Sequence, residues 1–102
     1  MRKAEIFVHN KPAGILEEIS RSNYRFTYYP GYAGKPVSLT MPVRKEPYKY
    51  TKFPSFFDGL LPEGIMLDAL IRQIKIDRND HFSQLCAVGE DMVGAVTARE
   101  LL

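Results

Sequence analysis

The sequence has no tryptophan, a single cysteine and no long apolar run. Because one thiol cannot form an internal disulfide, and no second thiol or histidine lies at metal-ligand spacing from Cys86, we expect neither a disulfide framework nor a metal site. A reducing cytoplasm is the compartment that suits this cysteine usage. Residues 1–9 hold too few apolar side chains for a signal peptide or a membrane span, so secretion and membrane insertion are not expected.

The charge of the chain also lacks a dominant sign. Fourteen basic and twelve acidic residues give a net charge of +2, and the two kinds are interspersed. Nucleic-acid-binding domains draw much of their affinity from contacts to phosphates, so this balance argues against direct nucleic-acid binding. A length of 102 residues, 45% of them hydrophobic, predicts one globular domain over residues 1–102.

The first half of the chain is typical of β-structure. Apolar and polar residues alternate from Ala4 to Val8, which is the period of a strand with one buried face. Further strands are predicted over Ile15–Ile19, Tyr24–Tyr29 and Val37–Met41, with a first turn at residues 10–14. Short connections make the first three strands antiparallel. Residues 43–52 are either a wandering connection or an edge segment.

The second half changes to a helical period. Leu67, Leu70, Ile71 and Ile74 recur at i, i+3, i+4 and i+7, which predicts an amphipathic helix over residues 62–75. A third helix is expected to bury Phe82, Leu85 and Cys86 and to end at Gly89, before a last strand over Gly94–Ala98. Strands followed by helices and one more strand predict an α+β fold, with helices on one face or end of a small antiparallel sheet.

The corner between the two halves lies at residues 53–64. Ser55 and Asp58 have the spacing of a capping box, which predicts a short helix beginning there. Pro62 is expected to end that turn and to open the next helix. The apolar residues of the corner, Phe56, Phe57, Leu60 and Leu61, are predicted to belong to the core.

The titratable residues form no catalytic motif. His9 is predicted on a strand without a nucleophile beside it, and His81 is expected at the surface near the start of the third helix. A nucleophilic pair of His81 with Cys86 would need contact in space, whereas a cysteine on an apolar helix face is typically a small buried residue. Glu17 and Glu18 point to opposite faces of their strand. We therefore expect no catalytic residue, no metal and no cofactor.

The aromatic and basic residues near positions 24–29 and 48–50 leave a small nucleic-acid-binding domain as one alternative. On alternating strands, about half of those rings must face the core, which weakens a base-stacking surface.

Ile65 and Met66 depart from the inward stripe of the predicted second helix. At 100° per residue, Ile65 falls opposite that stripe and Met66 on its flank. Such residues are either ordinary surface residues or exposed anchors for a protein partner, and the flexible methionine suits a partner surface.

Three ordered blocks of the sequence, at residues 36–42, 56–63 and 88–96, resemble the N-terminal subdomain of the HipA toxin kinases. The resemblance extends from Glu5 to Thr97. It implies a small antiparallel, barrel-like β-sheet capped by two to three helices. The motifs for nucleotide cradling and metal binding of those kinases are not found in these 102 residues, so no phosphoryl transfer is expected.

As a stand-alone form of this subdomain, the chain is similar to the HipS-like antitoxins of HipBST toxin–antitoxin systems. The resemblance implies an antitoxin that docks near the active site of a HipT-like Ser/Thr kinase toxin, with a HipB-like DNA-binding protein as a candidate third component. It places a bulky anchor just after the Leu-Pro corner, where this chain has Ile65 and Met66 instead of an aromatic residue. The expected partner-binding residues are Pro62, Glu63, Gly64, Ile65 and Met66. A non-inhibitory structural subdomain, or a fragment of a HipA-type kinase, is the alternative.

Overall fold

The computed structural model describes residues 1–92 and 94–101. Five strands and three α-helices follow one another along these residues, and a 3-10 helix extends the last α-helix. Their bounds are β1 Arg2–Val8, β2 Lys11–Ser20, β3 Asn23–Tyr28, β4 Tyr48–Tyr50, α1 Ser55–Asp58, α2 Gly64–Ile74, α3 His81–Val88, the 3-10 helix Gly89–Asp91, and β5 Val96–Leu101.

The five strands form one antiparallel sheet in the order β4-β3-β2-β1-β5. This confirms the predicted α+β class, with a small antiparallel sheet and three helices. Within the described ranges the sheet is open, because β4 and β5 lie at opposite edges and do not pair. The barrel-like shape implied by the resemblance therefore stops short of closure.

The first hairpin turns earlier than the sequence suggested. His9 and Asn10 have φ angles of 49° and 66°, the left-handed backbone of a tight two-residue hairpin turn. Strand β2 consequently begins at Lys11 and contains Pro12, beside an irregularity in the register with β1. The predicted turn over residues 10–14 and the placement of His9 on a strand are wrong for this reason.

The core lies on one face of the sheet. Every second residue of β1 and β3 is buried there, as the alternation predicted, and Phe57, Phe82 and Leu85 cover them from the helices. The rings of Phe26 and Phe57 lie 6.0 Å apart between centroids, which joins β3 to α1. The buried sheet residues include Ala4, Ile6, Val8, Leu16, Tyr24, Phe26, Tyr28, Val96 and Ala98.

One predicted strand is absent. Residues 37–41 form no strand, and only an isolated bridge joins Ser38 to Met41. Residues 43–52 contain the short edge strand β4, so the edge-segment alternative is confirmed for part of that range. The last strand begins two residues later than predicted and reaches Leu101, while Val93 lies outside the described residues.

The helices are close to their predicted ranges. Helix α2 begins at Gly64 rather than Pro62 and ends with Lys75 in a left-handed conformation. Helix α3 ends at Val88, directly before the predicted stop at Gly89. The capping box was wrong, because Ser55 is the first residue of α1 and Pro54 occupies the cap without a side-chain hydrogen bond.

Candidate protein-binding site

The corner after α1 is tied to the core by two apolar side chains. Phe57 and Leu61 are buried, while Leu60 packs partly against the same cluster. The backbone N–H of Leu60 donates to the carbonyl oxygen of Phe57, and that of Leu61 donates to the carbonyl oxygen of Asp58, both at 3.1 Å. These bonds give the chain a defined direction as it leaves the core.

The chain then changes direction over three residues. Pro62 is half-buried, Glu63 is extended with φ −130° and ψ 164°, and Gly64 has a φ of +57°. A Cβ added at Gly64 would meet no atom within 4 Å. The requirement for glycine is therefore conformational, since residues with side chains rarely adopt a left-handed backbone.

Ile65 and Met66 stand on the far side of this corner. Their side chains are 84% and 71% exposed. Helix α2 contains no buried residue, and Leu67, Leu70 and Ile71 are only half-buried. The predicted inward stripe is thus confirmed as a partly covered face, except that Ile74 is 41% exposed at the end of the helix.

The structure brings the five predicted partner-binding residues together on one accessible corner. Adjacent exposed apolar side chains at the start of a projecting helix are a feature of protein-binding surfaces. These five residues include no charged pair and no thiol that could act on a substrate. Partner binding by these five residues stays a prediction.

Two ion pairs hold the segment that follows α2. Arg78 pairs with Asp68 on α2, and this guanidinium lowers the pKa of the Asp68 carboxyl. Arg2 on β1 donates to both carboxylate oxygens of Asp80, at 2.8 and 3.3 Å, and to the hydroxyl of Ser83 at 2.6 Å. The segment between α2 and α3 is thereby linked to α2 on one side and to the sheet on the other.

Asp80 is the cap of α3 as well as an ion-pair partner. Its carboxylate accepts from the backbone N–H of Ser83 at 3.2 Å and from the hydroxyl of Ser83 at 2.7 Å. Burial alone would raise the pKa of this carboxyl, but the hydrogen bonds from Arg2 and Ser83 lower it to about 2. Arg2 also donates to Glu18 at 2.7 Å, so three elements meet at one guanidinium.

The histidines, the cysteine and the adjacent pair of glutamates lie apart from this corner. His9 is exposed in the first hairpin turn, and His81 is half-buried, 5.6 Å from the ring centroid of Phe53, rather than fully at the surface. Burial raises the pKa of the Cys86 thiol to about 12, which keeps it protonated at neutral pH. Glu17 and Glu18 do point to opposite faces, since Glu17 pairs with Arg25 and Glu18 with Arg2.

The aromatic residues do not form an open stacking surface. Tyr24, Phe26 and Tyr28 are buried, and Tyr48 and Tyr50 are half-buried against the core. This arrangement argues against the nucleic-acid alternative, because bases stack on exposed ring faces. Within residues 1–92 and 94–101, no group of His, Cys, Asp and Glu side chains is arranged to hold a metal ion, and no helix is long and apolar enough to cross a membrane.

Leu39 is an exposed apolar residue that the sequence interpretation missed. The sequence interpretation assigned it to a short alternating edge strand between two prolines, whereas the structure places it at the tip of a turn. Ser38 and Thr40 on either side were the available signal, since hydroxyl residues form local turns.

The profile of the HipA N-terminal domain family matches residues 4–99. An uncharacterised protein of Haemophilus influenzae strain Rd is 33% identical over 100 residues, which cover 98% of this chain and 93% of that protein. A solved structure of the N-terminal domain of HipA toxin superposes with a TM-score of 0.79 at 28% identity, covering 100% of this chain and 94% of that chain. In HipA, this N-terminal domain is not the part of the protein that performs catalysis. These findings confirm the resemblance found in the three sequence blocks, and the chain belongs to the HipA N-terminal domain family.

Proposed function

We propose that this protein is a HipS-like antitoxin of the cytoplasm, which binds and neutralises a HipT- or HipA-like Ser/Thr kinase toxin without performing catalysis itself. The observation that carries the proposal is the pair of exposed apolar residues, Ile65 and Met66, at the tip of a fixed corner in a HipA N-terminal domain. Docking of this corner near the active site of the kinase would block access to its substrate.

The similar protein from Haemophilus influenzae supports a role as a separate chain. This chain covers 93% of the length of that relative, so the relative consists of little more than the same domain. A domain of this family that occurs as a separate protein would meet a kinase in trans, as the proposed function requires.

The physical basis of the proposed interface is burial of preformed apolar surface. Moving a side chain such as Ile65 or Met66 from water into a pocket contributes about 1.5 to 3 kcal/mol. The corner at Leu61 and Pro62 is already ordered, so less conformational freedom is lost on binding. A few such anchors usually dominate the energy of an interface. An aliphatic pair here would fit a pocket shaped for branched and flexible side chains.

The test uses a HipA-type kinase that lacks its own N-terminal domain. Co-expression of the wild-type chain should restore growth, and the chain should co-elute with the kinase in size-exclusion chromatography. Ile65→Asp and Met66→Asp should each abolish both effects, because a charge would be buried without a partner. Ile74→Asp, on the same helix and 41% exposed, is the matched control and should rescue growth.

The two possible failures of this test are distinct. If the Ile65 and Met66 variants keep the wild-type circular dichroism spectrum and still rescue fully, the assigned site is wrong. If the wild-type chain neither rescues nor binds the kinase, the antitoxin function is wrong, and the chain is a non-inhibitory structural subdomain.

The proposal includes a HipB-like DNA-binding protein as a third component that contacts DNA in place of this chain. A mixture of the three proteins should elute as one complex. The chain alone should pass through heparin at low salt, because its net charge of +2 provides few phosphate contacts.

A further inference from the structure

Leu39 is the most exposed large apolar residue among those the structure describes, at 97%. Its neighbours two residues away on each side, Val37 and Met41, are both buried. The chain thus leaves the core, presents one leucine and returns. A leucine in this position contributes nothing to the core, which leaves its side chain free to contact a partner.

The turn that carries Leu39 is held by its own hydrogen bonds. The backbone N–H of Met41 donates to the carbonyl oxygen of Ser38 at 3.0 Å. The backbone N–H of Thr40 donates to the hydroxyl oxygen of Ser38 at 3.2 Å, and the two hydroxyl oxygens of Ser38 and Thr40 lie 3.0 Å apart. The backbone of Leu39 is therefore fixed on both sides.

A buried tyrosine fixes both ends of the same turn to the sheet. The hydroxyl of Tyr28 donates to the carbonyl oxygen of Met41 and accepts from the backbone N–H of Val37, the latter at 2.8 Å. Tyr28 lies in the core at the end of β3. The projection of Leu39 is thus a consequence of core packing and local bonds, and an anchor presented in this way loses little freedom on binding.

The segment that carries the turn is basic, and an open cavity with Lys52 as its one charged lining residue lies beside the turn. A cavity of about 370 Å³ separates the turn from α1 and is lined by Thr40, Met41, Lys52 and Phe56, among others. Residues 35–52 contain five basic residues and one acidic residue, a net charge of +4, whereas the whole chain carries +2. The remaining residues together carry −2, so the positive charge is concentrated in the segment that bears Leu39.

We propose that Leu39 is a second anchor, which inserts into an apolar pocket with an acidic rim on the same partner kinase. This inference rests on the proposed function for the identity of the partner. Opposite charge on the two surfaces favours such a partner and guides its approach. A second copy of this chain would bring two segments of charge +4 together, and their repulsion disfavours that occupant.

The test is the dissociation constant of the complex with the kinase, measured by isothermal titration calorimetry. Leu39→Ala should weaken binding about tenfold and Leu39→Asp about a hundredfold, since a central anchor is lost and a charge is added facing an acidic rim. Both variants should melt at the wild-type temperature, because the side chain is outside the core. Ile19→Ala removes an exposed apolar side chain that does not line the cavity and should bind as wild type.

The positive charge beside the turn is tested with Lys52→Glu, which should weaken binding several-fold at low salt and much less at high salt. Wild-type affinity of both Leu39 variants, with the wild-type chain still binding, would overturn this inference and leave the proposed function intact. Loss of binding by the wild-type chain itself would overturn both. Self-association of the wild-type chain in ultracentrifugation that Leu39→Asp abolishes would assign the surface to a second copy and overturn the commitment to the kinase.

Discussion

At the scale of single residues, the hydroxyl of Tyr28 makes two hydrogen bonds to backbone groups of another segment. It binds one backbone group before the Leu39 turn and one after it. The ring itself packs against Phe26, with centroids 4.9 Å apart, and stacks on Tyr32 at 5.7 Å. The hydroxyl therefore stabilises the Leu39 turn, while the ring packs with other aromatic residues. A substitution that removes only the hydroxyl tests the first role alone.

Tyr28→Phe should keep the ring contacts and leave the carbonyl of Met41 and the N–H of Val37 without a partner. We expect the free energy of unfolding to fall by about 1 to 3 kcal/mol, measured by urea denaturation. Tyr32→Phe is the matched control, because the Tyr32 hydroxyl donates to the carbonyl oxygen of Lys35 at an exposed position, where water can replace it. Equal losses for the two variants would contradict the role given to the Tyr28 hydroxyl.

Gly64 sets the angle at which Ile65 and Met66 are presented. Gly64→Ala places a side chain at a φ of +57° and should reduce stability by about 1 to 2 kcal/mol, although no atom is crowded. If the helix start instead shifts to relieve this strain, affinity for the kinase should fall while stability is kept. Thermal unfolding and binding are measured together.

The control is Gly59→Ala. Gly59 has a φ of −66°, and an added Cβ would meet only ordinary contacts at 3.5 Å. That variant should be neutral or slightly more stable, because alanine restricts the unfolded chain. A similar loss of stability in both glycine variants would show that backbone conformation at Gly64 is not the cause.

At the scale of elements, α3 depends on charge at its first turn. The pKa of Asp80 is about 2 in the folded protein, below its ordinary value of 3.8. Because the folded value is the lower one, the carboxylate stabilises the fold above about pH 4, and this contribution is lost as the pH falls from 4 towards 2. Stability should therefore decrease by about 1 to 2 kcal/mol over this range.

The measurement is urea denaturation at pH values between 2 and 6. Asp80→Asn should be less stable than wild type at pH 6 and should lose part of the difference at pH 2. Asp68→Asn, which removes an exposed ion pair to Arg78, should change stability little at either pH. An unchanged pH profile for Asp80→Asn would refute the assignment of this acid sensitivity to the α3 cap.

The difference between prediction and structure also follows the elements. The alternation in β1 and β3, the period of α2 and the position of α3 were predicted from local residues alone. The Leu39 turn was not, because the bonds that fix its two ends to the sheet come from Tyr28 on another element, and the local signal of Ser38 and Thr40 was outweighed by the alternating apolar pattern. The partial exposure of α2 was not predicted either. The spacing of Leu67, Leu70 and Ile71 predicts which face of the helix turns inward, but not how much of that face is buried.

The candidate site divides in the same way. Exposure of Ile65 followed from helical geometry, whereas the conformation of Gly64 that positions it became visible only in the structure. The family was identified from the order and spacing of three sequence blocks, and the family profile matches residues 4–99. The exposure of Leu39 was missed, since its block was assigned to a strand instead of a turn.

At the scale of the whole molecule, the order of the strands determines when folding can finish. Strands β1, β2 and β3 are neighbours both in sequence and in the sheet, so they can pair as soon as they are synthesised. The other edge of β1 must wait for β5, where Glu5 pairs with Arg99, 94 residues later. Such distant contacts slow folding, and an unpaired strand edge can meet another chain in the meantime. A nascent chain therefore carries an open β1 edge through most of its synthesis, and a protein truncated before β5 would keep that edge as a site for aggregation.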